Sequence, residues 1–307
     1  MDVTLSGRVA VVTGAGGGLG RAYALELARR GARVVINDVG SSLSGDGGQS
    51  TPADSVVDEI RAAGGTAVAS CESVATPEGG EAIAATAVDT FGSVDIVINN
   101  AGILRDRSMG KLKWDDVNAV LDVHLRGAFY VTQPAFQVMR ERNYGRLVFT
   151  SSNAGTFGNF GQSAYGAAKA ALIGLSSALA IEGERFGIAS NVVCPIARTR
   201  MTEAMLGDLA ASLNPEQVAP LVAYLSSEAC HETHMVFSAG GSHFSRVFTG
   251  LTDGWQNPPG TVASAEDVLA HLGDITGTER FLVPNTAAEE LQALAKHMQL
   301  DVATDSP

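Results

Sequence analysis

The sequence predicts a doubly wound α/β fold, a parallel sheet of about seven strands with helices on both faces. Two observations carry the prediction. Short β-branched runs alternate with segments of helical periodicity, and the joins between them are mostly short. A glycine-rich turn, Thr13-Gly-Ala-Gly-Gly-Gly18-Leu-Gly20, stands between the first strand-like run and the first helix-like one. A parallel sheet meets an anionic ligand at such a turn, because glycines admit a close approach and the helix start offers free N–H groups.

The elements follow in order. Arg8 to Thr13 reads as a buried strand, and Arg21 to Arg29 as the helix after the glycines. The second strand, Arg33 to Asp38, ends in an acid about 20 residues after the glycine turn, where a carboxylate binds ribose hydroxyls. The same carboxylate repels a 2′-phosphate, so Asp38 predicts NAD rather than NADP; an ordinary strand-end turn acid is the alternative. Residues 40–50 form a polar, glycine-rich loop, either a mobile flap near the adenosine or a plain surface insertion. Thr51-Pro52 opens a helix that ends at Gly64-Gly65, with the strand Thr66 to Ser70 behind it. Ser73 and Val74 follow, placed to touch an adenine. Thr76-Pro77 opens a helix running to Gly92, and Val94 to Asn99 is the fourth strand. Asn118 to Arg142 reads as one long helix, with Pro134 inside it expected to kink it or open a turn. Arg146 to Thr150, Ala189 to Cys194 and Met235 to Ser238 complete the strands.

The stretch from Ser151 to Ala180 holds the chemistry. Tyr165 and Lys169 are four residues apart and share one face of an otherwise apolar helix. A free phenol, with a pKa of about 10, is a poor base at neutral pH, and a fixed cation nearby favours the phenolate. Ser152 lies thirteen residues upstream of Tyr165, in the turn after a strand, and its hydroxyl can hold a substrate oxygen. A Tyr-x-x-x-Lys pair by itself is weak evidence, since helices supply it by chance.

Composition limits the partners. The chain has 307 residues, 45% of them hydrophobic, and a formal charge of −12 without a dense Lys/Arg run. That balance argues against nucleic acid and anionic membrane surfaces. Met1-Asp2-Val3-Thr4 leads straight into the first strand without the pattern of a signal peptide, and no apolar run is expected to reach the ~20 residues of a membrane span. Cys71, Cys194 and Cys230 are scattered and lack metal-ligand spacing, as in a reducing compartment. A cytoplasmic protein without a metal is the expectation.

In this order, the glycine turn at 13–20, Asn99-Asn-Ala-Gly102, Ser152, Tyr165 and Lys169 resemble the signatures of the short-chain dehydrogenase/reductase family over residues from about 5 to 245. The resemblance implies a Rossmann-type NAD-binding domain. It makes Tyr165 the acid/base, Ser152 the group polarising the reacting oxygen, and Lys169 the ligand of the nicotinamide ribose that also lowers the Tyr165 pKa. It implies cofactor contacts at Gly14, Gly18, Leu19, Gly20, Asp38, Ser73, Val74, Asn100, Ala101, Gly102, Tyr165, Lys169, Pro195 and Thr199. His124 stands where most members carry an asparagine of a proton relay; relay and satisfied helix histidine both remain open. Pro195-Ile196 replaces the family's usual Pro-Gly, which leaves the contacts of that loop open.

Longer runs resemble the (3R)-3-hydroxyacyl-CoA dehydrogenase unit of type 2 peroxisomal multifunctional enzymes: Asn37-Asp-Val-Gly40, Ala101-Gly-Ile-Leu-Arg-Asp-Arg-Ser108, His124-Leu-Arg-Gly127, Gly158-Asn-Phe-Gly-Gln162, Leu179-Ala-Ile-Glu-Gly183 and Arg200-Met-Thr202. They imply a free-standing bacterial relative that oxidises a fatty or steroid side-chain 3-hydroxyacyl-CoA in β-oxidation, with NAD, as a homodimer or homotetramer. A hydroxysteroid or other secondary-alcohol dehydrogenase without CoA is the first alternative, and an NAD-binding regulator without turnover the second. Arg105, Arg107, Lys111 and Lys113 are either contacts for CoA phosphates or a solvated basic loop. Residues 1–250 are expected to form the NAD-binding domain, with substrate-binding helices near 200–230. Residues 251–307 are an extension on that domain, on a partner subunit or in solvent, with capping boxes at Ser264 and Thr286. Its end, Thr304-Asp-Ser-Pro307, is no peroxisomal address.

Overall fold

The computed structural model describes residues 3–40, 51–199, 207–258, 260–298 and 300. The 40–50 loop beyond Gly40, the Arg200–Thr202 run and the Thr304–Pro307 end therefore lie outside the described residues. The chain divides into two compact units, Met1–Arg246 and Val247–Pro307.

The first unit is built on β1 (Val9–Thr13), β2 (Arg33–Asn37), β3 (Thr66–Ser70), β4 (Ile96–Asn99), β5 (Gly145–Thr150), β6 (Ile188–Pro195), β7 (Met235–Gly240) and β8 (His243–Val247). They form one eight-stranded sheet in the order β3-β2-β1-β4-β5-β6-β7-β8. Every pair from β3 to β7 is parallel. The strand order reverses between β1 and β4, and the carboxyl ends of those two strands are Thr13 and Asn99. Ligands of open α/β sheets bind at such a switch point. The fold class is the one expected, with one strand more. β8 returns from β7 through the two-residue turn Gly241-Ser242, whose φ values of 58° and 60° suit a type I′ hairpin. Most of β8 is exposed, so no buried alternation marks it in the sequence.

Alternate residues of each strand feed opposite faces. Ala10 and Val12 of β1 join Tyr23, Leu27, Ile36 and Ile60 under α1 (Gly18–Arg29) and α2 (Thr51–Ala62). Val9 and Val11 join Ile83, Val131, Met139, Phe149 and Leu172 on the other face. Each large apolar side chain so buried contributes about 1.5–3 kcal/mol. α3 (Pro77–Phe91) begins where Thr76 Oγ1 accepts the Gly79 N–H at 3.1 Å, and ends at Gly92 with φ 80°.

The helix expected over 118–142 starts earlier and is interrupted elsewhere. α4 (Trp114–Leu121) passes into a π-helical segment, Asp122–Arg126, and then into α5 (Gly127–Arg142). Pro134 sits inside α5 without ending it. It has no N–H for the Tyr130 carbonyl, and Gly80 of α3 packs closely there: a Cβ on Gly80 would lie 2.4 Å from that oxygen.

α6 (Asn153–Thr156) and α7 (Ser163–Gly183) follow β5, and α8 (Ala219–Leu225) packs against α1. The expectation that no run is apolar enough for a membrane span needs correction. Ser163–Phe186 is long and apolar enough by length and composition, with mean hydropathy 1.4. It is α7 with its 3₁₀ end, packed on β5 and β6 and carrying Lys169 on its buried side.

The second unit is small. β9 (Leu251–Thr252) and β10 (Phe281–Leu282) pair antiparallel, and the unit also holds α9 (Ala265–Ala270), α10 (Leu272–Thr276) and α11 (Ala287–His297). Ser264 forms the expected capping box with Asp267. Thr286 completes only half of one: it accepts the Glu289 N–H, whereas the Glu289 carboxylate takes the Asn285 N–H. Trp255 and His271 stack at 4.3 Å between ring centroids.

Candidate active site

The glycine turn holds its shape through contacts that only glycine permits. Gly14 has φ 62°, and a Cβ there would lie 2.8 Å from Ala101 Cα. Asn100 secures the turn from β4: its Nδ2 donates to the Thr13 and Gly14 carbonyls at 3.0 and 3.2 Å. Thr13 Oγ1 accepts the N–H groups of Asn100 and Ala101. Gly18, Leu19 and Gly20 form the first turn of α1, where backbone N–H groups lack helical partners. Gly18 faces Thr199, whose Cγ2 would lie 3.5 Å from an added Cβ, so the segment after Pro195 reaches the turn.

Asp38 follows β2. Its carboxylate accepts the Gly16 N–H at 2.9 Å and the Gly40 N–H at 2.7 Å, which fixes it against the glycine turn. Val74 is buried, and its carbonyl lies close to Gly127. Ser73 Oγ accepts the Ala75 N–H. A dinucleotide fits these features: a glycine floor, free helix-start N–H groups and a fixed acid lie along one sheet edge.

Ser152 ends the crossing from β5 and caps α6, its Oγ accepting the Ala154 N–H at 3.2 Å. Tyr165 lies in the first turn of α7 with Lys169 one turn on; the Lys169 Nζ is 5.7 Å from the phenol ring centroid. Lys169 is 3% exposed, and its Nζ donates to the Thr150 carbonyl at 2.6 Å. Ser151 Oγ in turn donates to the Lys169 carbonyl at 2.7 Å. Burial pulls the Lys169 ammonium down to about 7.

The lowering of the Tyr165 pKa anticipated from Lys169 is not what this arrangement gives. Burial raises the phenol, with Asp106 and Cys194 adding to the rise and the Ser152 hydroxyl opposing it. Burial of the phenol is the largest cause, and the ammonium, 5.7 Å from the ring centroid, is turned to the Thr150 carbonyl.

His124 sits within the π-helical segment, 3% exposed, its ring edge-on to Tyr165 at 5.3 Å. Its Nε2 is 2.8 Å from the Ile103 carbonyl and 3.0 Å from the Ile103 N. One neutral tautomer donates to the carbonyl and the other accepts from the N–H. Both leave the buried Nδ1 without a partner among the described residues. Burial, helped by Lys169, lowers its pKa to about 3, so the ring is neutral at working pH. Gly102 makes room for it, since a Cβ there would lie 2.4 Å from the ring.

Sequence reasoning passed over three neighbours of this set: Asp106, Gln162 and the buried Cys194. Asp106 and Gln162 stand in runs that carry the family resemblance, but only the backbone trace brings them and Cys194 to the site.

Such a fold and such a site define an oxidoreductase acting on CH–OH groups with a nicotinamide dinucleotide. The sequence pattern of the short chain dehydrogenase family matches residues 8–209, and the chain belongs to that family. It is 49% identical over 276 residues to the peroxisomal multifunctional enzyme type 2 of Drosophila melanogaster, covering 88% of this chain and 46% of that enzyme. The chain thus spans about half of that relative's length. The full-length structure of the same enzyme superposes with a TM-score of 0.82, over 96% of this chain and 50% of that one. A short-chain type dehydrogenase/reductase of Mycobacterium tuberculosis is 49% identical over 272 residues, 88% of this chain and 94% of its own length. A hydroxyacyl-CoA dehydrogenase of the same organism is 41% identical over 294 residues, 87% of this chain and 90% of its own.

Proposed function

We propose that the chain oxidises a 3-hydroxyacyl-CoA to the 3-oxoacyl-CoA with NAD as cofactor. The observation that carries the chemistry is that the Ser152 hydroxyl reaches Tyr165 at the carboxyl end of β5, with Lys169 one helical turn on. Likeness to the multifunctional enzyme and the hydroxyacyl-CoA dehydrogenase supports the substrate class.

Gly14, Gly18, Leu19 and Gly20 would hold the pyrophosphate, Asp38 the adenosine ribose, and Ser73 and Val74 the adenine. Asn100, Ala101, Gly102, Pro195 and Thr199 would flank the nicotinamide half, and Lys169 its ribose. The Asp38 carboxylate, with no Lys or Arg in the 13–20 turn, favours NAD over a phosphorylated ribose. Bound NAD⁺ supplies the hydride acceptor. Tyr165 takes the proton of the 3-hydroxyl, and Ser152 donates to the same oxygen as it becomes a carbonyl. The neutral His124 fits an anchor of Ile103 better than a proton carrier.

Exposed apolar side chains near the mouth suit a substrate with an apolar body: Phe157 at 74%, Phe160 at 91% and Met109 at 76%. For the CoA phosphates the basic loop offers less than its composition implies. Arg105 and Arg107 both pair with Asp116, at 3.4 and 2.8 Å. Lys111 and Lys113, which form no ion pair among the described residues, are the better candidates. A second copy of the chain would cover the outward stripe of α7, where Ala167, Ala170, Gly174, Ala178 and Ile181 are exposed.

NADH formation with (3R)- and (3S)-3-hydroxyacyl-CoA, a steroid side-chain 3-hydroxyacyl-CoA and a free hydroxysteroid tests the reading. Turnover confined to the thioesters supports it. Preference for the free steroid would transfer the same residues to a CoA-independent alcohol, and NAD binding without turnover would leave a regulator.

A further inference from the structure

Two segments flank the site from different parts of the chain: residues 103–111 after β4, and residues 157–162 between Ser152 and α7. They are tied together. Arg107 and Gln162 form a parallel β-bridge, and Gln162 Nε2 donates to the Asp106 carboxylate at 2.7 Å. Gln162 is 6% exposed, and its Oε1 accepts from Asn159 Nδ2 at 2.8 Å. Both ends of the amide are therefore used, which fixes its orientation. On its other side the strap is held to α4, where Asp116 accepts from Arg107 Nε at 2.8 Å.

Gln162 immediately precedes α7, and its carbonyl accepts the Gly166 N–H at 2.6 Å. It thus sets the first helical turn, which carries Tyr165. The groups facing Tyr165 are the Ser152 hydroxyl, the neutral His124 ring, the Lys169 ammonium, the Cys194 thiol and Asp106. Asp106 is the carboxylate of that set.

We infer that Asp106 is a positioning residue for the reaction: with Gln162 it latches the 103–111 strap to the start of the catalytic helix. The inference rests on the alcohol-oxidation reading and deepens it. Losing Asp106 leaves the buried Gln162 Nε2 unpaired and loosens the strap at that end, so the cost falls on substrate capture rather than on the proton step. Losing only the charge keeps the latch, because an asparagine oxygen still accepts from Nε2. It also removes the carboxylate that favours the protonated phenol, so the oxidation profile moves to lower pH.

Asp106→Asn and Asp106→Ala separate the two effects, measured as kcat and KM against pH with NAD and 3-hydroxyacyl-CoA. Hydrogen exchange of residues 103–111 and a thermal melt accompany the kinetics. Asp106→Asn is expected to lower the pKa of the kcat/KM profile by about half a unit, with wild-type exchange in the strap. Asp106→Ala is expected to raise KM about fivefold with kcat within about twofold, and to speed strap exchange about tenfold at an unchanged melting point. Wild-type pH profile, KM and exchange in both variants would overturn the latch. Should the wild-type protein turn over none of the thioesters, the substrate reading falls, and strap exchange in Asp106→Ala still decides whether the latch exists.

Discussion

Lys169 Nζ donates to the carbonyl of Thr150 at 2.6 Å, tying α7 to the carboxyl end of β5 beneath the site. Burial brings this lysine to about 7 from an ordinary 10.5. Between those values the unfolded chain binds more protons here than the folded one. Stability contributed by this group therefore rises with pH through that window, and below it the full burial cost is present. Lys169→Met is expected to abolish turnover and yet leave the cofactor-free protein equally stable, or more stable by about 1–2 kcal/mol, at pH 6. Denaturant melts at pH 6 and pH 9.5 check this, because the advantage of the variant must shrink at the higher pH.

His124 makes the same demand in a more acid window. Its folded pKa of about 3 lies below the ordinary 6.5, so the unfolded chain takes up the proton first. Stability is lost as pH falls from 6.5 toward 3, and the ring contributes no pH dependence above that range. His124→Asn keeps a short polar side chain for the Ile103 backbone and cannot titrate. Its stability should fall less between pH 6.5 and 4 than that of the wild-type protein, by about 2–3 kcal/mol. Equal slopes in urea melts at both pH values would show that His124 is not held neutral by burial.

The sheet was legible in the sequence because its strands are buried on both faces and read as β-branched runs. The glycine turn, Asp38 and the Ser152, Tyr165, Lys169 set could be singled out as candidates because each is local in sequence or fixed in helical phase. β8 was not, since its exposed residues carry no alternation. The π-helical segment was not, because it accompanies a tertiary bond between His124 and Ile103 rather than any helix-breaking residue. Pro134, the obvious breaker, lies in regular helix. The burial of Tyr165 and the direction of the Lys169 ammonium were not legible, because they are three-dimensional facts.

At the other end of the sheet two guanidinium groups lie against the Tyr144 ring, Arg8 at 3.5 Å and Arg146 at 4.5 Å from its centroid. Arg146 is buried and donates to the carbonyls of Ser227, Gly145 and Gly187. Tyr144→Ala removes both cation–π contacts and the cover over these bonds. A loss of about 2–3 kcal/mol is expected. Because none of these groups reaches the site, KM for NAD should stay unchanged, and a shift there would show that the two ends of the sheet are coupled.

Asp38 is held by the Gly16 and Gly40 N–H groups, so it would meet the proposed adenosine ribose without rearrangement. Asp38→Asn keeps an acceptor of the same size while removing the charge. KM for NAD is expected to rise about tenfold and the discrimination against NADP to fall. Parallel titrations with both dinucleotides measure this, and unchanged discrimination would assign the preference to another part of the site.

Gly17 and Gly20 distinguish stability from binding within one turn. A Cβ on Gly20 would lie 2.2 Å from the Gly14 carbonyl oxygen and 2.6 Å from Asn100 Nδ2. The first of these is backbone that cannot step aside, so Gly20→Ala should cost about 1–3 kcal/mol and weaken NAD binding with it. A Cβ on Gly17 meets nothing within 4 Å, and the φ of −173° suits any residue. Gly17→Ala loses only a preferred helix cap, about 1 kcal/mol or less. Its methyl group projects into open space at the start of α1, where the proposed pyrophosphate must approach the backbone. Calorimetric titration should therefore show NAD affinity reduced at least tenfold in a protein that melts nearly as the wild type does. Full affinity in Gly17→Ala would move the pyrophosphate away from this turn and with it the cofactor assignment of Gly18, Leu19 and Gly20.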